Sequence, residues 1–380
     1  MTLASPDKTG AARMAQVFCR ALGEAGHRVR LIHGPPPASN ILDDMRAVGV
    51  DPKLEARLTF PLSPAVPRRV AELARQWGAG AVIGVNQRDR AVALQAARRL
   101  GVPGLLMMQS LHMFWGGWPI AALKRAYYTR TLQRDLRLAV CCSLAVQTEL
   151  VQEFGIQPER TAVLPNGVDL ERYVPLPPES QARVRADLGL AADELMLLNV
   201  GRIDRQKGQD LLLEALSQVH SERPWRLVIV GGVTSGAGQD RSEQFRQGLL
   251  RSVERLGLGP RVLFAGWRED IPALLASADI YVHPSRYEGW PLAVVEAMAS
   301  GLPVVATDCV GRPGGFEDGK HGFIVRTEDV QALARALTRT CALTDPERQS
   351  WGAAGRELAR AQYDVRALGQ RFVQLVEGVL

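Results

Sequence analysis

The chain of 380 residues is poor in aromatics, at 6%, and contains no apolar run near the 18 or more residues that a membrane-crossing helix requires. A helical membrane-embedded protein is therefore excluded. Recurring aromatics among cations, the mark of a nucleic-acid stacking platform, are absent, so no nucleic-acid partner is expected. The start lacks a charged stretch followed by an apolar segment, so no secretory leader is read there and a cytoplasmic location is expected. Five cysteines, Cys19, Cys141, Cys142, Cys309 and Cys341, form no C-x-x-C pair. Their odd number and scatter point to reduced, buried thiols. Also missing are a G-x-x-x-x-G-K-[ST] loop, a full G-x-G-x-x-G and any Asp-x-Asp triplet, so ATPase and dehydrogenase readings lose support. With no clustered His, Cys or Asp ligands, no metal site is expected.

What is present is ordinary globular material, 46% apolar and 23% charged, at a length that suits two domains. The net charge of +6 is uneven: residues 1–175 hold 22 Lys and Arg against 14 Asp and Glu, whereas residues 176–380 hold 24 against 26. The first half is thus suited to an anionic partner such as phospholipid or a phosphorylated substrate. Helical spacing over 11–25, 66–77 and 88–100 alternates with apolar strands over 27–32, 81–85 and 104–108, the signature of parallel βαβ units. Residues 1–9 are polar and include Pro6, so the opening strand expected of such a domain is missing and a shortened start is expected. After a proline-rich stretch over 175–178, a second alternating series begins, with strands at 195–200, 227–230, 262–264, 280–283 and 304–306. The expected fold class is α/β, two Rossmann-like doubly wound domains facing one another across a cleft. The first covers 1–174 and the second 175–364, with a C-terminal helix near 365–380 packing back on the first.

In such sheets ligands bind beyond the carboxyl ends of the strands. Residues 201–208 read Gly-Arg-Ile-Asp-Arg-Gln-Lys-Gly, a loop in which Arg202 and Lys207 suit a diphosphate and the glycines admit close backbone approach; the alternative is a solvated basic loop. Residues 284–301 read Pro-Ser-Arg-Tyr-Glu-Gly-Trp-Pro-Leu-Ala-Val-Val-Glu-Ala-Met-Ala-Ser-Gly. Pro291 starts a helix there, Gly301 ends it, and its positive N-terminus favours anions. Glu288 and Glu296 would repel phosphate, so hydroxyls of a sugar and a ribose are their expected partners. His283, before Pro284, reads as a core strand residue.

The two glutamates eight apart resemble the E-x7-E signature of retaining glycosyltransferases of family GT4, which share the two-domain GT-B fold. Residues 201–208 look like that family's phosphate loop, residues 165–169 like its N-G-V-D turn, and residues 301–308 like the stretch after its E-x7-E helix. The resemblance implies a nucleotide-sugar donor, a glycan or lipid-linked acceptor, retention of anomeric configuration and no metal or cofactor. A role in bacterial surface polysaccharide or lipopolysaccharide synthesis is expected. The resemblance gives diphosphate neutralisation to Arg202 and Lys207, the donor sugar to Glu288 and His112, and the ribose to Glu296. Gly289, Trp290, Pro291 and Leu292 would line the donor site. Only Gly10 stands where the family's first loop has paired glycines, and Pro313-Gly314 replaces its usual Pro-Glu, which bears on sugar preference. An inactive GT-B binding subunit, and an epimerase or phosphorylase on the same scaffold, are the alternatives. Lastly, Lys124, Arg125, Arg130, Arg134 and Arg137 with Trp118, Tyr127 and Tyr128 form a candidate interfacial helix for anionic membrane. A solvated helix packed on the sheet is the other reading.

Overall fold

In a computed structural model the chain divides into two compact units, residues 1–167 with 365–380, and residues 168–364. The structure describes residues 1–7, 9–37, 40–58, 64–110, 119–233, 239–309 and 313–380.

The first unit is a seven-stranded parallel sheet in the order β3-β2-β1-β4-β5-β6-β7. Its strands are β1 (Thr2–Leu3), β2 (Arg30–His33), β3 (Asp51–Leu54), β4 (Val82–Gly84), β5 (Gly104–Met108), β6 (Leu138–Cys141) and β7 (Thr161–Val163). The opening strand that the sequence lacks is therefore present: Thr2–Leu3 pairs with both β2 and β4 at the centre of the sheet. Two residues suffice because the following loop is held from β4's side. The Asp89 carboxylate accepts from the Ala4 and Val85 N–H groups at 2.7 and 3.1 Å, and Asn86 accepts from Ser5 at 3.0 Å. Helix α1 (Gly10–Glu24) starts at Thr9, whose hydroxyl caps Ala12 N–H. The terminal helix α14 (Val365–Glu377) lies on α1, where Phe18 and Phe372 stack with centroids 4.1 Å apart.

Helix α5 (Ile120–Asp135) joins β5 to β6. Its tyrosines turn inward, contrary to the expectation of an aromatic face for membrane. Tyr128 is buried edge-on against Phe154 at 5.9 Å, and Tyr127 accepts a hydrogen bond from Gln95. A phenol ring in a crossover helix gains more from packing against the neighbouring helices than from water. Trp118 lies outside the described residues.

The second unit is a six-stranded parallel sheet in the order β10-β9-β8-β11-β12-β13. Strands β8 (Leu195–Val200), β9 (Trp225–Val230), β10 (Val262–Gly266), β11 (Ile280–His283), β12 (Val304–Thr307) and β13 (Gly322–Val325) run parallel throughout. Helices on both faces bury Leu195–Leu198, Val282 and Val305 completely. All five cysteines are buried and none is in a disulfide, and burial pushes the thiols of Cys19, Cys141, Cys309 and Cys341 up to about 12. Among the described residues no helix is long and apolar enough to cross a membrane.

Candidate active site

The strand order of the second sheet reverses between β8 and β11, the point at which open α/β sheets bind ligands beyond their carboxyl ends. The loop after β8 is residues 201–208, and the loop after β11 is residues 284–291. The topology therefore sets the basic loop beside the one that carries Glu288, although they are some eighty positions apart in the chain.

One glycine makes this approach feasible, and a second lets the turn after β9 close on the start of the 201–208 loop. Gly208 has φ +68°, and a Cβ there would lie 2.0 Å from the Pro284 carbonyl oxygen. Gly231, after β9, has φ +144°, and its Cβ would lie 1.9 Å from the Gly201 oxygen. Only a residue without a side chain fits either place. Helix α8 (Gln209–Leu216) follows at once, and the buried Gln209 side chain donates to the Arg202 carbonyl at 2.9 Å.

Across the loops, Lys207 Nζ donates to Glu288 Oε1 at 2.5 Å, with only 19% and 10% of the two side chains exposed. The same oxygen accepts from Ser285 Oγ at 2.9 Å and lies 3.4 Å from His283 Nε2. Since Ser285 has one proton and gives it to Glu288, its oxygen accepts from His283 Nε2–H at 3.1 Å. Nδ1 lies 3.3 Å from the Tyr281 hydroxyl, whose one proton is shared between that nitrogen and the Val200 carbonyl at 3.4 Å. Thr307 closes the network by donating to the Ser285 carbonyl at 2.5 Å. Burial pushes the Glu288 carboxyl up, but Lys207 and His283 outweigh it and hold the group at about 2. Burial lowers the His283 pKa against the pull of Glu288, which keeps the ring neutral. Glu288 is thus a fixed anion, and Lys207 is its cation.

Helix α11 (Leu292–Ala299) begins after Pro291 and has neither a capping side-chain bond nor an acidic first turn, so its positive end is not neutralised locally. Glu296, on its inner side, is buried and accepts from the Tyr173 hydroxyl at 2.6 Å. Trp290 lies 5.5 Å from Tyr363, centroid to centroid, and its buried indole Nε1 has no hydrogen-bond partner among the described residues. Arg202 is more open, at 47%, with Gln206 Oε1 at 3.3 Å and Asp204 at 3.8 Å.

The structure therefore brings together Arg202, Lys207, Glu288, Gly289, Trp290, Pro291, Leu292 and Glu296 on one unit. Gly10 belongs to the other, as the first residue of α1. His112 lies outside the described residues. Sequence reasoning missed three things here. The direct contact between Lys207 and Glu288 is not legible in their spacing. Sequence reasoning left His283 as a plain core residue, although it is hydrogen-bonded into the Glu288 network. Ser285, Thr307 and Tyr173 gave no signal, since a hydroxyl acquires its role only from what the fold sets beside it.

Two doubly wound parallel-sheet units, the second bearing a cationic loop and buried carboxylates at its switch point, define the GT-B class of fold. The structure of Anabaena Alr3699/HepE in complex with UDP superimposes with a TM-score of 0.83 at 22% identity, covering 99% of this chain and 98% of that one. The family model described as Glycosyl transferases group 1 matches residues 180–358, and that of Glycosyltransferase Family 4 matches residues 8–172. The GDP-mannose-dependent alpha-(1-6)-phosphatidylinositol monomannoside mannosyltransferase of Mycolicibacterium smegmatis is 31% identical over 293 residues, 74% of this chain and 72% of that protein. The D-inositol 3-phosphate glycosyltransferase of Streptomyces scabiei is 37% identical over 195 residues, 50% of this chain and 42% of that protein. The chain spans about half the length of the D-inositol 3-phosphate glycosyltransferases it matches. It belongs to the GT4-type glycosyltransferases.

Proposed function

We propose that the protein moves a sugar from a nucleotide-sugar donor to a hydroxyl of a glycan or lipid-linked acceptor, with retention of configuration and without a metal or other cofactor. The observation that carries this reading is the buried Lys207–Glu288 pair beside Arg202 at the β8–β11 switch point. Lys207 and Arg202 supply positive charge where the diphosphate leaves, and fixed charge aimed at a leaving group is usually the largest catalytic term. Glu288, ionised at any working pH, accepts hydrogen bonds from the donor sugar, and Glu296, oriented by Tyr173, holds the ribose.

A carboxylate already engaged by Lys207, Ser285 and His283 is a poor nucleophile. Attack on the face from which the diphosphate departs, with that phosphate taking the acceptor's proton, therefore fits better than a covalent glycosyl intermediate.

The names of the two sequence relatives contain an inositol 3-phosphate in one case and a phosphatidylinositol monomannoside in the other. That favours a polyol phosphate or its lipid-linked form, in the synthesis of a surface glycolipid, lipopolysaccharide or polysaccharide. Helix α5 suits such an acceptor: Ile120 and Leu123 are 55% and 73% exposed, beside Lys124, Arg125 and Arg130, an arrangement fit for peripheral contact with the inner, anionic membrane face. The test is transfer by the full-length protein in EDTA to acceptors extracted from membranes, with the product's anomeric configuration read by proton NMR. Transfer with the donor's own configuration is expected. An inverted product, or turnover abolished by EDTA, would contradict the reading.

A further inference from the structure

The 201–208 and 284–291 loops are joined by more than the Lys207–Glu288 pair. Arg286 is nearly enclosed, with 12% of its side chain exposed. Its Nη1 and Nη2 donate to the two Asp210 oxygens at 2.7 and 2.8 Å, Nη1 also to the Arg205 carbonyl at 2.8 Å, and Nε to Glu328 Oε1 at 2.6 Å. The Arg286 backbone N–H donates to the Gln206 carbonyl at 2.8 Å, and the Gln206 side chain donates to the Tyr287 carbonyl at 3.0 Å. Arg205 and Gln206 immediately precede Lys207.

The outer anchor of this clamp is strained. Among the described residues, Glu328 is the one residue other than glycine with a positive φ, at +65°. Left-handed backbone is disfavoured wherever a Cβ is present. The Glu328 side chain is 59% exposed, so its pairing with Arg286 adds little to stability. Strain retained for a contact of small energetic worth is the pattern found where a position is held for function.

We propose that Arg286, braced by Asp210 and Glu328, is a positioning residue that sets the Arg205–Lys207 turn against the loop carrying Glu288, and so fixes where the Lys207 ammonium meets the donor diphosphate. The proposal rests on the donor-site reading above. Lysine cannot replace arginine here, because a single ammonium on a flexible stem cannot bridge two carboxylates and a carbonyl as a planar fork does.

Two measurements keep the clamp and the donor reading apart. Hydrogen exchange on the ligand-free, full-length chain reads the loop itself, whose Gln206, Lys207 and Gly208 amides are bonded to Asp204 and Arg205. Arg286→Ala and Arg286→Lys are expected to speed exchange of these amides about tenfold or more, with β8 unchanged. Wild-type protection in both variants would overturn the clamp, whatever the protein binds. Calorimetric titration with UDP, GDP and ADP reads the consequence: Arg286→Ala is expected to weaken the nucleotide that wild type binds by about tenfold, with little recovery in Arg286→Lys. Glu328→Gly separates positioning from simple support. It relieves the left-handed backbone, so Tm is expected to hold or rise while binding weakens roughly threefold. A lowered Tm with wild-type binding would overturn the proposal. Failure of wild type to bind any of the three nucleotides would count against the donor reading, with the exchange result still deciding the clamp.

Discussion

Replacing Lys207 by methionine keeps the stem of the side chain and leaves Glu288 buried without its cation. At 2.5 Å the Coulomb attraction is about 7 kcal/mol for an effective dielectric constant of about 20, from which the cost of burying both ions must be subtracted. Removing one partner of a buried pair costs about 3–5 kcal/mol, because the other charge is stranded. Ser285 and His283 still serve the carboxylate, so the lower end, about 3 kcal/mol, is expected for Lys207→Met. For a unit of this size that corresponds to a fall of roughly 6–12 °C in the melting temperature of residues 168–364. Glu288→Gln costs less, about 1 kcal/mol, since the stranded ammonium can turn to water on its flexible stem. The double variant leaves no stranded charge and is expected to lose about 1 kcal/mol, well short of the sum of the single variants. Scanning calorimetry on the four proteins at neutral pH completes the cycle. A double variant whose loss equals that sum would refute the account of Glu288 as an anion held by Lys207.

Stability of the second unit should fall on acidification in two stages. Glu288 and His283 both have folded pKa values below their ordinary ones, so the unfolded chain binds more protons as the pH drops. The first loss begins below the ordinary histidine value, and the second runs from the ordinary glutamate value of 4.5 down to about 2. In a series of melts against pH, Glu288→Gln should show a smaller second stage, the remainder coming from Glu243, Asp270, Glu317 and Glu347, which are also held below their ordinary values, and a curve parallel to wild type would contradict its assignment. Tyr173→Phe removes the 2.6 Å donor to Glu296 and is expected to cost about 1–2 kcal/mol of stability while raising the donor KM more than it lowers kcat. An unchanged KM would detach Glu296 from the donor. Gly208→Ala forces a Cβ toward the Pro284 carbonyl in a left-handed backbone, so nucleotide affinity should fall by about tenfold or more; wild-type affinity by calorimetric titration would show that the loop spacing is not needed.

The strands legible in the sequence were those buried on both faces. Leu195–Val200 and Ile280–His283 are apolar runs because helices cover the sheet on either side. Thr2–Leu3 escaped notice because two residues leave no periodicity, and its place is set by Asp89 and Asn86, far along the chain. Asp51–Leu54 is an edge strand, largely exposed, whose Pro52 would break an interior ladder but is tolerated at an edge. The site followed the same division. Arg202, Lys207, Glu288 and Glu296 stood out as charges placed after strands or in the following helix. The contacts that define them did not, because Lys207 with Glu288, Tyr173 with Glu296 and Arg286 with Asp210 are pairings made by the strand order rather than by any local pattern.

The central claim, that this site breaks the bond between a sugar and a nucleoside diphosphate, is tested most directly by nucleotide release from UDP-, GDP- and ADP-sugars in EDTA. The purified protein is assayed with a membrane extract as the acceptor source and Glu296→Ala as the control. Release from one donor, lost in the control, is the expected result. No release from any donor with acceptor present, or equal release by Glu296→Ala, would contradict the claim.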